Sequence, residues 1–335
     1  MRVLALPDKF RGTATATEVA DAVVAAAADL GWDSDRAPIA DGGEGLLDCF
    51  GGANRDTEVT GPSGAPVTAQ WLLDGTRAVI EMALASGQPV AGDDHDPTTA
   101  TTTGTGELIA AAIRAGATDV IVGAGGSVTT DGGLGALDVL RKYAPLDGTR
   151  GYTVRVATDV TTRFRDAAEV FAPQKGADPG QVAALTERLD ELAARYRDEF
   201  GIDVGAIVGS GAAGGLAGGL AALGASVVPG FDLVANHLDL AAKIAAADLV
   251  VTGEGKLDPT SLSGKAVGGV VALCRKVGRP VAVVAGQVAR GTSVGGADVV
   301  DLTARFGQRA QRDTAACVRE AVADLLARVR GTGGN

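Results

Sequence analysis

Short apolar runs that stop abruptly at glycine or an acid constrain this chain most. VLALPD at 3–8, VIVGAG at 120–125, VRVATD at 154–159, LVVTGEG at 249–255 and VAVVAG at 281–286 share that form. Continuous Val, Ile, Leu and Ala in runs this short read as strands buried on both faces. Such strands need helices on each side, and helical patterns follow most of these runs. The pattern predicts an α/β protein whose parallel sheets present their carboxyl ends, with the glycines and charges there, to a ligand.

At 335 residues and 46% hydrophobic, the chain has the length and apolar content for two such domains. Aromatics are only 4%, so the core is expected to be Ala, Val, Leu and Ile. A formal charge of −11 and a pI near 4.7 argue against a nucleic-acid partner, since phosphate backbones select basic surfaces. An anionic substrate would then need local cations to overcome the global field. Cys49, Cys274 and Cys317 are far apart and lack spaced histidines, which suggests a reducing cytoplasm and no zinc site. MRVLALPDKF has too short an apolar run before Pro7 and Asp8 for a secretory segment and reads as the first strand. The uncharged stretch 204–231 is the best membrane candidate, but its glycines and Pro229 favour a Gly-rich turn and a packed helix; no membrane partner is expected.

The strand at 3–6 leads through a polar loop to a helix that opens with Thr15 and Glu18 in capping-box spacing and closes at Gly31. A short strand near 35–39 precedes ADGGEG, residues 40–45. From Thr57 to Met82 the pattern alternates and turns at Gly-Pro, Ser-Gly and Asp-Gly, as antiparallel strands do, which marks a domain boundary. Alternation of helix and strand resumes with helix 106–115, strand 119–125, helix 133–142, strand 154–160 and an amphipathic helix at 179–198. Strand 248–252, ended by Gly253, begins the last third. Helix 265–276, strands 280–286 and 299–303 and a terminal helix 311–329 follow, before the tail RGTGGN. No biased linker separates the parts, so the second domain is expected to be inserted into the first.

PDKFRGT, ADGGEG, GAGGSVTTDGG, ATDV, PQKGAD and GEGKLD lie at strand ends or helix starts and combine glycine with acids, Lys or hydroxyls. Glycine lets backbone N–H groups approach an anion, and carboxylates in the same loops can hold Mg²⁺. That inventory suits phosphoryl transfer, which needs positioned charge more than a nucleophilic side chain. Each loop alone also has a purely structural reading: Thr130 and Asp131 cap a helix, Gly253 and Gly255 close a turn, Lys175 is a solvated charge, Asp258 caps the turn before Thr260. A Walker A loop ending at Gly264-Lys265 is excluded, because Pro259 stands at its first glycine position and Ala266 at its hydroxyl position. The protein-kinase motif set is absent. GSGAAG at 209–214, with Asp232 about 20 residues on, matches the dinucleotide fingerprint and makes an NAD-binding dehydrogenase the alternative. His95 and His237 have no evident Ser or Cys partner, and no G-x-S-x-G elbow occurs, which disfavours acyl transfer.

Taken in order, PDKFRGT, ADGGEG, IEMALASG, TGTGELI, GGSVTTDGG, VATDV, VFAPQKGA, GSGAAGGL and DLVVTGEGKLDPTSLSGK resemble the motifs of the glycerate kinase family. The resemblance implies a two-domain α/β protein: a flavodoxin-like doubly wound domain built from both chain ends, 1–55 and 231–335, and an inserted α/β domain, 56–230. It also implies ATP- and Mg²⁺-dependent phosphorylation of glycerate, with 2-phosphoglycerate favoured over 3-phosphoglycerate. A kinase of another small hydroxy acid and a non-catalytic relative are the neighbouring readings. Lys9 and Arg11 depart from the family's Ser and Lys, Thr130 from its Asn, and Thr162, Arg163 and Phe164 from its Asn-Pro-Leu, while 143–153 is shortened.

On this reading the site is expected in an interdomain cleft that closes on its substrate. Lys9 and Arg11, beside Asp8, would neutralise a carboxylate or phosphate. Asp41, Glu44 and Asp258 are candidates for the metal or the substrate hydroxyl, with Asp258 the expected proton acceptor and Asp41 paired with Asp159 for the metal. Glu254 and Lys256 are expected to touch substrate, and Gly42, Gly43, Gly253 and Gly255 to leave room for the nucleotide. Ser127, Thr129, Asp131 and Lys175 are expected to add the inserted domain's share.

Overall fold

The computed structural model describes residues 1–92, 95–262 and 265–332, so Gly264 and the last three residues of the tail lie outside the described residues. Eleven strands occur among the described residues: β1 (Arg2–Pro7), β2 (Asp33–Arg36), β3 (Arg55–Thr60), β4 (Pro66–Asp74), β5 (Arg77–Glu81), β6 (Asp119–Gly123), β7 (Thr153–Ala157), β8 (Ser226–Val228), β9 (Leu249–Leu257), β10 (Val281–Val288) and β11 (Asp298–Asp301). They divide between two compact units, residues 1–40 with 231 onward and residues 41–230.

In the first unit one sheet runs β11-β10-β9-β1-β2, and every pairing is parallel. Numbered within the unit, that order is 2-1-3-4-5, the flavodoxin-like arrangement, and the second unit enters at the crossover between its second and third strands. Val3 and Ala5, Leu249 and Val251, and Ala282 and Val284 share one core with Val19, Val23 and Ala26 of the helix Ala16–Asp29 and with Val318, Val322 and Leu325 of the helix Thr314–Thr332. Leu4, Leu6, Val250 and Val283 are buried as well, as strands covered on both faces require. The first helix starts where Thr15 and Glu18 place it. The Thr15 hydroxyl accepts from Glu18 N at 3.1 Å, and the Glu18 carboxylate accepts from Thr15 N at 2.8 Å. The Thr15 backbone N–H, with the Thr15 hydroxyl, holds the Glu18 carboxyl below its ordinary range.

The second unit has a six-stranded sheet, β3-β4-β5-β6-β7-β8. Its β3–β4 and β4–β5 pairings are antiparallel, as the alternating pattern indicates, and β5 through β8 are parallel. Ile80, Val120, Val122 and Val156 pack with Ile109, Leu137, Leu189 and Leu220 from the covering helices. Phe164 is fully buried and meets Tyr196 edge-on at 5.9 Å, so this departure from the family pattern is a core residue.

Two expectations change. Residues 41–55 belong to the second unit, because the loop after Asp41 lies directly on the one after β6. A Cβ on Gly125 would stand 2.4 Å from Gly43 Cα, and one on Gly123 would stand 2.7 Å from the Gly42 carbonyl. Strand β9 does not end at Gly253 but continues to Leu257, paired with Val284 through Val288 of β10. The uncharged stretch 204–231 breaks into a 3₁₀ turn, Val204–Ala206, a short helix, Leu216–Ala222, and β8 before the helix Gly230–His237. No helix among the described residues is long and apolar enough to cross a membrane.

Candidate active site

β1 and β9 are neighbours whose connections leave in opposite directions, β1 toward β2 and β9 toward β10. Open parallel sheets form a crevice at the carboxyl ends of such a pair. Pro7 lies in register with Gly253, and Asp8 N donates to the Gly253 carbonyl at 2.8 Å, so Asp8 enters beside Glu254. The glycines of GEGK allow this approach. A Cβ on Gly253 would stand 2.0 Å from the Val284 carbonyl, and one on Gly255 would stand 3.1 Å from Arg11 N. The space expected for a nucleotide at these two glycines holds the protein's own backbone.

Strand alternation turns Glu254 and Lys256 to the same face of β9. Glu254 is half-buried, and its Oε1 is buried with no hydrogen-bond partner. Burial pushes its carboxyl up to about 7; the charges of Asp8 and Asp258 add to the rise, while the Ser261 hydroxyl and Lys265 oppose it. Lys9 lies beside Asp8: its backbone N–H donates to Asp8 Oδ1 at 2.7 Å, and its Nζ is 3.6 Å from the same oxygen. Arg11 and Lys256 are exposed. Asp258 has a different role, since its Oδ1 accepts from Thr260 Oγ1 at 2.6 Å, Thr260 N at 2.8 Å and Ser261 N at 3.3 Å. The Thr260 hydroxyl leads in holding this carboxyl below its ordinary range, and the side chain caps the 3₁₀ turn Pro259–Leu262.

In the second unit the Asp41 backbone and the Asp159 side chain both lie against Gly230. Asp159 Oδ1 accepts from Gly230 N at 2.8 Å, and the Asp41 carbonyl lies so close that a Cβ on Gly230 would stand 2.2 Å from it. Among the described residues no three His, Cys, Asp or Glu side chains are grouped to hold a metal. Carboxylate oxygens completed by water and phosphate oxygens are the kind of donor that Mg²⁺ accepts. Gly42 has φ +94°, and a Cβ there would stand 2.6 Å from the Ala157 carbonyl. Glu44 is exposed. Sequence reasoning missed Glu81, a buried acid at the end of β5, whose Oε1 accepts from Gly45 N at 3.0 Å and Leu47 N at 2.9 Å. Burial raises its carboxyl, and these two bonds oppose the rise. An acid terminating the apolar run RAVIE was its only local signal.

Lys175 is 5% exposed. Its Nζ donates to the Thr129 carbonyl at 2.6 Å and to Ser127 Oγ at 3.3 Å. Burial pulls its ammonium down to about 8, and the charge of Asp131 partly counters this. Asp131 is not open to a ligand, because it accepts from Thr102 N at 2.9 Å, Thr102 Oγ1 at 2.8 Å, Gly133 N at 3.0 Å and Gly135 N at 3.2 Å. It thereby ties the start of the helix Thr103–Arg114 to that of the helix Leu134–Leu140. The next residue back, Thr130, is fully buried with its hydroxyl unpaired.

GSGAAG does not form a dinucleotide loop: it follows the turn Val204–Ala206 rather than a strand. Gly214 serves packing instead, since a Cβ there would stand 2.0 Å from the Thr129 carbonyl. A cavity of about 520 Å³ opens elsewhere in the second unit, lined by Glu58, Glu107, Arg114 and Lys142 among others, and includes none of these site residues.

Acids, lysines and glycine-spaced backbone at parallel strand ends are the arrangement that α/β phosphotransferases use. The glycerate kinase family profile matches residues 3–144 and 142–330. The chain is 35% identical over 326 residues to the glycerate 2-kinase of Escherichia coli K12, covering 86% of each. It is 34% identical over 381 residues to the glycerate kinase of Bacillus subtilis 168, covering 95% of this chain and 98% of the relative. A crystal structure of a Salmonella typhimurium LT2 protein assigned as a glycerate kinase 2 matches with a TM-score of 0.82 and 31% identity over 100% of both chains. The chain belongs to the glycerate kinase family and is a kinase.

Proposed function

We propose that this kinase transfers the terminal phosphoryl group of ATP to glycerate and that 2-phosphoglycerate is the product. The observation that carries this reading is the polar cluster at the β1/β9 switch point, where Asp8, Lys9 and Glu254 sit together at the position where open α/β sheets bind ligands. The Escherichia coli relative, a glycerate 2-kinase, supports the choice of product. Each unit carries cations suited to an anion, Lys9 and Arg11 in the first and Lys175 beside Ser127 in the second. A lysine or arginine gripping the substrate carboxylate fixes the hydroxyl on the adjacent carbon, whereas the C3 hydroxyl rotates on a further bond. Asp41 and Asp159 would hold Mg²⁺, which when bound neutralises charge on the transferring phosphate. Glu81 and Asp131 act as positioning residues, one for the loop that carries Asp41 and one for the turn beside Lys175.

Incubation with ATP, Mg²⁺ and a panel of small hydroxy acids, followed by proton-coupled ³¹P NMR, tests the proposal. Phosphate on C2 of glycerate couples to one carbon-bound proton and gives a doublet; phosphate on C3 couples to two and gives a triplet. The expected product signal is the doublet. A triplet would reassign the product, and phosphorylation of a different acid with glycerate left untouched would keep the kinase and discard the substrate.

A further inference from the structure

We propose that Glu254 is the proton acceptor for the substrate hydroxyl, the role that its spacing in GEGKLD had given to Asp258. This inference rests on the kinase reading above and adds the group that handles the proton. An acceptor needs a lone pair that is not already committed and a position facing the ligand crevice. Three acids lie at the carboxyl end of β9. Asp258 Oδ1 is committed to three donors of its own turn. Asp8 Oδ1 accepts from the Lys9 backbone and lies 3.6 Å from the Lys9 ammonium. Glu254 alone of the three has a buried side-chain oxygen with no hydrogen-bond partner.

Its backbone is fixed rather than mobile, because Glu254 pairs with Ala285 and Gly253 with Val284 in the β9–β10 ladder, and both flanking glycines are closed over by neighbouring chain. Lys265, the N-cap of the helix Ala266–Val277, is the cation that acts on it; Lys9 lies 3.6 Å from the neighbouring Asp8, and Lys256 follows two residues on along the strand. Asp8 and Asp258 are the acids, and β10 contributes no charged side chain. In the transfer, the substrate O–H proton passes to Glu254 Oε1 as the oxygen–phosphorus bond forms. The bond from that phosphorus to the bridging oxygen of ATP breaks, and ADP leaves with the electron pair. Glu254 returns its proton to water after product release. A carboxyl brought by burial to about 7 is matched to this exchange near neutral pH.

The sign of the pH dependence follows. Below about pH 7 Glu254 is protonated and cannot accept, so wild-type kcat is expected to fall on the acid side with the slope of one proton. Glu254→Gln is expected to lower kcat by at least about 100-fold, to abolish that limb and to leave glycerate binding within about threefold. Folding supplies a second readout that needs no turnover. The folded carboxyl titrates above its ordinary value of 4.5, so the cost of charging it grows as pH rises from there to about 7 and then stays constant. Glu254→Gln should therefore match or exceed the wild-type Tm at pH 8, and the ¹³C resonance of the Glu254 carboxyl in the wild type should titrate near 7. Glu254→Asp should restore part of kcat together with the acid limb. A Glu254→Gln enzyme that turns over glycerate at the wild-type rate, or that keeps the acid limb, would overturn the assignment and return the role to Asp258. Absence of phosphate transfer by the wild type would instead reject the kinase reading on which the inference rests.

Discussion

Lys175→Met is expected to lower kcat/KM for glycerate by roughly 10- to 100-fold while leaving the Tm unchanged or raised, the range given by one lost charge-assisted hydrogen bond to an anion. The two halves of this result have one cause. The ammonium is 5% exposed, and its two partners are a carbonyl and a hydroxyl rather than a carboxylate. Burial brings it from 10.5 to about 8, a cost of about 3 kcal/mol for keeping the charge at neutral pH. Methionine fills much of the same volume without that cost. The folded group titrates below its unfolded value, so wild-type stability should rise as pH increases from about 8 toward 10.5, and the variant should lack that rise. Wild-type activity should decline above about pH 8 as the ammonium loses its proton. Thermal scans from pH 7 to 10 beside steady-state kinetics decide the matter. A variant with normal kcat/KM and a Tm several degrees lower would make Lys175 a cross-link to the Thr129 carbonyl and nothing more.

Asp131→Ala is expected to destabilise the second unit by about 3 kcal/mol or more, a large fraction of the stability of an ordinary domain. The carboxylate is 8% exposed and serves four donors, three of them backbone N–H groups at the starts of two helices. Deleting it leaves buried donors without an acceptor, and alanine offers none in return. Asp131→Asn retains one acceptor oxygen and should recover part of the loss. It should also move the alkaline limb of activity to lower pH, because the negative charge of Asp131 helps keep Lys175 protonated. Urea unfolding of both variants measures the first effect and a pH–rate profile of Asp131→Asn the second. A loss below about 1 kcal/mol in Asp131→Ala would show that the neighbouring turns satisfy those donors by other means.

What the sequence by itself determined was local. Apolar runs too short for helices gave parallel strands, Thr15 and Glu18 fixed the first helix start, and the alternating stretch after Thr57 gave the antiparallel hairpins. The ordered string of Gly-rich motifs also gave the family. What only the tertiary structure decided depends on partners distant in the chain. Gly253 looked like a strand breaker, but β10 and the loop after β1 lie against it, and a glycine can stay in a strand where backbone must approach. The loop after Asp41 looked like part of the first strand–helix series, but it is laid over Gly123 and Gly125. Asp258 and Glu254, four residues apart, carry the same charge in the sequence. One is surrounded by the donors of its own turn, and the other is desolvated beside Asp8 from the opposite end of the chain. A carboxylate's proton affinity is set by its solvation and its neighbours, and neither is a property of residues adjacent in sequence.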